Sequence, residues 1–120
     1  MKVPGPDHPI TITPETRRVR VLVDGVAVAD TRRALRLEEA RYAPVFYVPR
    51  EDIKAEAFAA SARTSHCPYK GDAHYFDLVV GDTRRPDAVW SYEAPYPAVA
   101  AIREHVAFYP DRVDAIAVGD

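Results

Sequence analysis

The stretch Arg18-Val19-Arg20-Val21-Leu22-Val23-Asp24-Gly25-Val26-Ala27-Val28-Ala29 decides the fold. Valines recur at every second position on both sides of Asp24-Gly25, which is the pattern of a half-buried strand pair. Asp-Gly suits a two-residue type I′ turn, because glycine accepts positive φ without steric cost. That turn sets Val23 opposite Val26 and Val21 opposite Val28, so the valines gather on one face.

Outward from this hairpin, Ala34-Leu35-Arg36-Leu37-Glu38 alternates and predicts a third strand. Val45-Phe46-Tyr47-Val48 predicts a fourth, stopped by Pro49. Pro49 with Glu51 and Asp52, followed by Ile53, Ala57 and Ala60 at helical spacing, predicts a short helix over 50–61. Residues 61–72 read as a loop. A strand over 74–80, a turn over 81–87 and a partner strand over 88–93 then predict a second hairpin. Pro97, Val99, Ile102 and Val106 predict a second short helix, and 108–109 and 115–118 are strand-like. Residues 1–17 are expected to be an extended lead-in, poorly ordered over the proline-rich 1–9. Residues 18–120 are expected to form one domain.

The links between strands are too short for crossover helices, so the expected class is mainly β (α+β). It would be one strongly curved antiparallel sheet with two short helices. The chain has 120 residues, 48% of them hydrophobic and 28% charged, which suffices for a core without staples. Sixteen basic residues against eighteen acidic ones leave a net charge of −2, so no global basic field exists to hold nucleic acid or an anionic membrane. One cysteine, Cys67, excludes an intramolecular disulfide and any zinc site built on two thiolates. The opening residues carry no apolar run, which predicts neither a signal peptide nor an anchor and points to the cytoplasm.

Reactive groups concentrate in Arg63-Thr64-Ser65-His66-Cys67-Pro68-Tyr69-Lys70-Gly71-Asp72-Ala73-His74-Tyr75. Lys70 or a protonated His66 near Cys67 would raise its thiolate fraction. Equally, Cys67 is read as a small buried apolar residue with solvated histidines around it. His66, Cys67 and His74 lack the short fixed spacings of zinc ligands, so no metal is expected. Lys70-Gly71 reverses the order of a phosphate-binding loop, and no glycine-rich dinucleotide turn occurs. Asp111 and Asp114 read as turn residues. No cofactor is expected.

Aromatic residues form a second concentration. Trp90 and Tyr92 are two apart on a predicted strand and project from one face, with Tyr75 on the hairpin partner and Tyr96 and Tyr109 beyond. Phenols and an indole N–H each need polar partners when buried. They therefore suit a half-open site that stacks a flat ligand or holds a cation, although cross-strand packing would use the same residues.

Four motifs in order carry a resemblance. They are Val45-Phe46-Tyr47-Val48-Pro49-Arg50-Glu51-Asp52, Thr64-x-His66-Cys67-Pro68-Tyr69-Lys70-Gly71-x-Ala73-x-Tyr75, Trp90-Ser91-Tyr92-x-x-Pro95 and Ala107-Phe108-Tyr109-Pro110. Over about residues 18–118 the chain resembles the bacterial family called domain of unknown function 427. The resemblance implies a bent antiparallel sheet closed into a tent or half-barrel, with helices at its side and no assigned activity. A nucleotidyltransferase label is sometimes attached to such proteins, but this chain lacks the Gly-Ser and paired-Asp signature of that chemistry. The resemblance further implies that the Cys67 loop and the Trp90–Tyr92 strand share a pocket.

The leading expectation is therefore a small-molecule binding module, a monomer or homodimer. Its expected ligand-binding residues are Thr64, His66, Tyr69, Tyr75, Trp90, Tyr92 and Tyr109. One alternative is a small enzyme with Cys67 as nucleophile or redox centre, tuned by Lys70 or a histidine. The other is a protein-interaction accessory domain.

Overall fold

The computed structural model describes residues 1–119. Ten strands follow in order: β1 Ile10–Glu15, β2 Val19–Val23, β3 Val26–Thr31, β4 Ala34–Glu39, β5 Val45–Pro49, β6 Phe58–Cys67, β7 Gly71–Val80, β8 Thr83–Tyr92, β9 His105–Phe108 and β10 Ala115–Val118. Seven form one sheet in the order β1-β4-β5-β9-β8-β7-β6, and β10-β2-β3 form a second. Every pairing between these strands is antiparallel. The mainly β, antiparallel expectation holds, but the strands divide between two sheets rather than forming the single sheet expected, and neither closes into a barrel.

At the β2–β3 turn Asp24 and Gly25 sit at φ 50° and 78°, as a type I′ turn requires. Val23 faces Val26 as expected, but a bulge follows and sets Val21 opposite Ala29 rather than Val28. The extra residue leaves Val28 and Ala29 both buried. It also turns the Val28 carbonyl toward the Lys54 N–H (2.8 Å) and lets Ala29 bridge to Ile53.

That contact explains why no helix forms over 50–61. Arg50–Asp52 and Ala55–Ala57 are single 3₁₀ turns. Asp52 accepts hydrogen bonds from Thr31 Oγ1 (2.6 Å) and Arg33 (3.0 Å), so it ties this segment to β3 rather than serving a helix dipole. Phe58 is extended and packs edge-on against Phe76 and Phe108 at 6.3 and 6.0 Å.

The expected helix from Pro97 is likewise 3₁₀, over Pro97–Ile102, and is kinked at Val99. Its three-residue repeat keeps Val99 and Ile102 on one buried face, whereas Val106 belongs to β9. Among the described residues there is no α-helix.

Three further expectations are corrected. The turn expected over 81–87 is confined to Gly81 and Asp82, because Thr83, Arg84 and Arg85 already pair with Val80, Val79 and Leu78. Residues 61–72 are mostly strand, because β6 pairs with β7 from Phe58↔Leu78 to Cys67↔Gly71. Within the lead-in, Ile10–Glu15 is an edge strand paired along its whole length with β4. Residue 120 of the expected domain lies outside the described residues.

The β7–β8–β9 portion divides the interior. Val89, paired with Phe108, faces an apolar cluster with Leu78, Val48 and Val106. Trp90, paired with Ala107, faces a second cluster with Tyr75, Tyr92, Tyr47 and Leu37. Strand alternation sends neighbouring residues to opposite sides, so the phenols collect on one face.

Candidate functional site

The phenol-rich face is built by register. Tyr75 pairs with Trp90 and Ala73 with Tyr92, so the three rings share one side of the β7–β8 hairpin. On β4 and β5, Leu37 pairs with Val45 and Leu35 with Tyr47, and alternation carries Glu39 to the same side as Leu37. Tyr109, immediately after β9, completes the group. Between these elements lies a cavity of about 390 Å³ bordered by Tyr47, Tyr75, Trp90, Tyr92, Tyr109 and the Lys70–Glu39 pair, with Tyr42 at its edge.

The rings are held by one another. The Trp90 and Tyr109 ring centres are 4.5 Å apart, and Tyr75 and Tyr109 lie near-parallel at 6.4 Å. Trp90 Nε1 donates to the Tyr47 hydroxyl at 3.2 Å. Ser65 Oγ, Tyr75 Oη and Tyr109 Oη form a chain with spacings of 2.8 and 3.4 Å. Burial pushes the phenols of Tyr47 and Tyr92 well above their ordinary pKa. Burial, helped by the Tyr75 hydrogen bond, raises Tyr109 to about 12. All three are neutral hydroxyls at physiological pH.

At the polar end, Lys70 donates to Glu39 Oε1, and His8 Nε2 donates to Glu39 Oε2 at 2.7 Å. Burial works to raise the Glu39 pKa, but the hydrogen bonds from Lys70 and His8 together outweigh it and hold the carboxyl below its usual range. The turn that presents Lys70 depends on Gly71, at φ 112°, and on the Tyr96 N–H bonding the Lys70 carbonyl at 3.0 Å. His8 also stacks on Tyr69 at 4.0 Å, and the Lys2 N–H bonds the Pro68 carbonyl at 2.7 Å. The N-terminal segment thus straps the β6–β7 turn in place.

A family model described as Domain of unknown function (DUF427) matches residues 11–119. The chain belongs to that family. No match to a curated protein was found. The DUF427 motifs quoted above converge in space: β5 supplies Tyr47, the β6–β7 turn Lys70, β7 Tyr75, β8 Trp90 and Tyr92, and the segment after β9 Tyr109.

Of the residues singled out in the sequence, Lys70, Tyr75, Trp90, Tyr92 and Tyr109 border the cavity. Thr64, His66 and Tyr69 do not. Thr64 and His66 are exposed on the opposite face of β6, where His66 Nδ1 pairs with Asp72 at 2.7 Å and its ring meets Tyr96 edge-on. Tyr69 lies outside, against His8. Cys67 is half-buried against the phenol-bearing cluster, and alternation turns it to the side opposite His66. The Lys70 ammonium is engaged by Glu39. Five lining residues went unrecognised in the sequence: Tyr42, in the link before β5, and the four strand residues Leu37, Glu39, Val45 and Tyr47. Each of the four continues the inward parity of its strand, which was the available signal.

Proposed function

We propose that this DUF427 protein is a small-molecule binding module whose aromatic cavity takes a flat or cationic ligand. The observation that carries the reading is the convergence of Tyr75, Trp90, Tyr92 and Tyr109 on one cavity of about 390 Å³. That volume falls within the range of roughly 300–1,000 Å³ typical of small-molecule sites. Trp90 is only half-buried, and polar rings tolerate a wet, half-open position that a purely structural core would fill with Leu and Phe. On this reading the seven-stranded sheet is the curved wall of a tent, with the cavity on its concave side. The protein would act in the cytoplasm as a monomer or homodimer, with neither nucleic acid nor membrane as partner. The net charge of −2 offers no global basic field for nucleic acid or an anionic membrane; among the described residues no helix is long and apolar enough to cross a membrane.

Trp90 is the single tryptophan, so its fluorescence reports the site directly. Screening flat bicyclic fragments should yield compounds that quench it saturably. Tyr109→Leu, which removes the ring 4.5 Å from Trp90, should weaken them about five- to ten-fold, the worth of one stacking pair. A screen without saturable quenching, or quenchers indifferent to Tyr109→Leu in a folded variant, would count against the site.

A further inference from the structure

The hydrogen-bonding inventory of the cavity is lopsided. Tyr92 is 7% exposed and borders the cavity, yet its hydroxyl has no hydrogen-bond partner among the described residues. The Lys70 ammonium lies 6.0 Å from the centre of the Tyr92 ring. Tyr47 is 1% exposed; its oxygen receives the Trp90 N–H, and its own proton has no acceptor among the described residues. Lys70 is 8% exposed and spends one N–H on Glu39, whereas an ammonium carries three. The Ser65–Tyr75–Tyr109 chain links three hydroxyls through two contacts and so leaves one proton over. The carboxylate that could absorb these donors is already taken at both oxygens, by Lys70 and by His8. Burial keeps the phenols protonated, so they remain donors.

We propose that the cavity is built for a planar ring bearing an sp² acceptor oxygen, a ring carboxylate or ring ketone, received by the Tyr92 and Tyr47 hydroxyls and Lys70. This rests on the aromatic-cavity reading and narrows it away from cations. An acceptor oxygen pairs with the spare donors that these cavity-lining groups turn toward a ligand. A cation brings only further donors and meets the Lys70 charge. The rings of Trp90 and Tyr109 supply the stacking surface for the planar part.

The test uses three bicyclic probes of matched size: 2-naphthoate, 2-acetylnaphthalene and 2-naphthylmethylammonium. They are titrated into the ¹⁵N-labelled full chain, and the single indole N–H resonance is followed. Both acceptor probes should move the Trp90 resonance saturably, with the ammonium probe at least about ten-fold weaker, the worth of one good hydrogen bond. Tyr92→Phe should weaken the acceptor probes about five- to ten-fold and leave the ammonium probe unchanged. Lys70→Met should weaken naphthoate more than acetylnaphthalene, which separates a charged oxygen from a neutral one. If Tyr92→Phe proves unfolded, Tyr47→Phe serves the same comparison. Ammonium binding as tight as naphthoate, or acceptor binding indifferent to the phenol substitutions, overturns the acceptor-oxygen proposal while leaving the aromatic site standing. No probe shifting the indole resonance at millimolar concentration overturns both.

Discussion

Replacing Lys70 with Met tests whether the polar end of the cavity is a structural joint as well as a binding surface. The Lys70 and Glu39 side chains are 10% and 14% exposed. Removing one member of a fully buried pair costs about 3–5 kcal/mol, because the other charge is left uncompensated. Here His8 still donates to Glu39 at 2.7 Å, and both groups touch solvent. The expected loss is therefore smaller, about 2–3 kcal/mol. For a domain of this size that lowers Tm by roughly 6–15 °C. Lys70→Met/Glu39→Gln should recover about half of the loss, since the penalty arises mainly from the stranded carboxylate.

The pH dependence has a definite sign. Glu39 titrates below its ordinary range in the folded state. The stability it contributes is complete above its unfolded pKa, near 4.3, and disappears as pH falls through the folded value. The gap between wild type and Lys70→Met should therefore be widest at neutral pH and narrow steadily below about pH 4. Urea unfolding at a series of pH values measures both quantities. A Lys70→Met cost under about 0.5 kcal/mol, or a gap unchanged between neutral pH and pH 3, refutes the reasoning.

Two further outcomes are expected. Gly71→Ala places a side chain at φ 112°, with its Cβ 3.4 Å from the Ala94 carbonyl oxygen; it should cost about 1–3 kcal/mol in chemical denaturation. Gly25→Ala, at φ 78° in an open turn, should cost less than Gly71→Ala, about 1 kcal/mol, and a Gly71→Ala loss no larger than the Gly25→Ala loss would count against a tight Gly71 turn. In a spectrophotometric titration the folded protein should retain un-ionised phenol at pH 11 that ionises on adding denaturant, because Tyr47, Tyr92 and Tyr109 are all raised by burial; complete ionisation at pH 11 without unfolding would contradict their burial.

How much of this was legible in the sequence follows from what each strand buries. The β2–β3 and β7–β8 hairpins have one face inside, so their side chains alternate and their turns carry glycine. β6 is the outer strand of its sheet and is exposed over most of its length, so Thr64, Ser65 and His66 show no apolar period and read as loop. β1 does alternate, as Ile10-Thr11-Ile12-Thr13, but the surrounding prolines hid it. Pro14 is tolerated because an edge strand need not donate every N–H. The apparent helix over 50–61 failed because tertiary contacts of Asp52 and Phe58 outweighed a weak local period.

The site was legible only as far as a hairpin reaches. Tyr75, Trp90 and Tyr92 come together through one turn, which local sequence specifies. Tyr47 and Glu39 arrive through the β5–β9 pairing, Val48↔Val106 and Pro49↔His105, between strands far apart in the chain. No local pattern encodes that neighbourhood. It also explains why the cavity exists. The large rings face small partners across the strands, Tyr92 opposite Ala73 and Trp90 opposite Ala107, with both alanines almost wholly buried. Small residues beneath large ones let the rings lean over the sheet and close most, but not all, of the space between β4–β5 and β7–β8. On the reverse side, Val89, Phe108 and Leu78 pack without polar groups and supply cohesion. Alternation along β8 and β9 thus assigns stability to one face and releases the other for hydroxyls that a stability-only core would not carry.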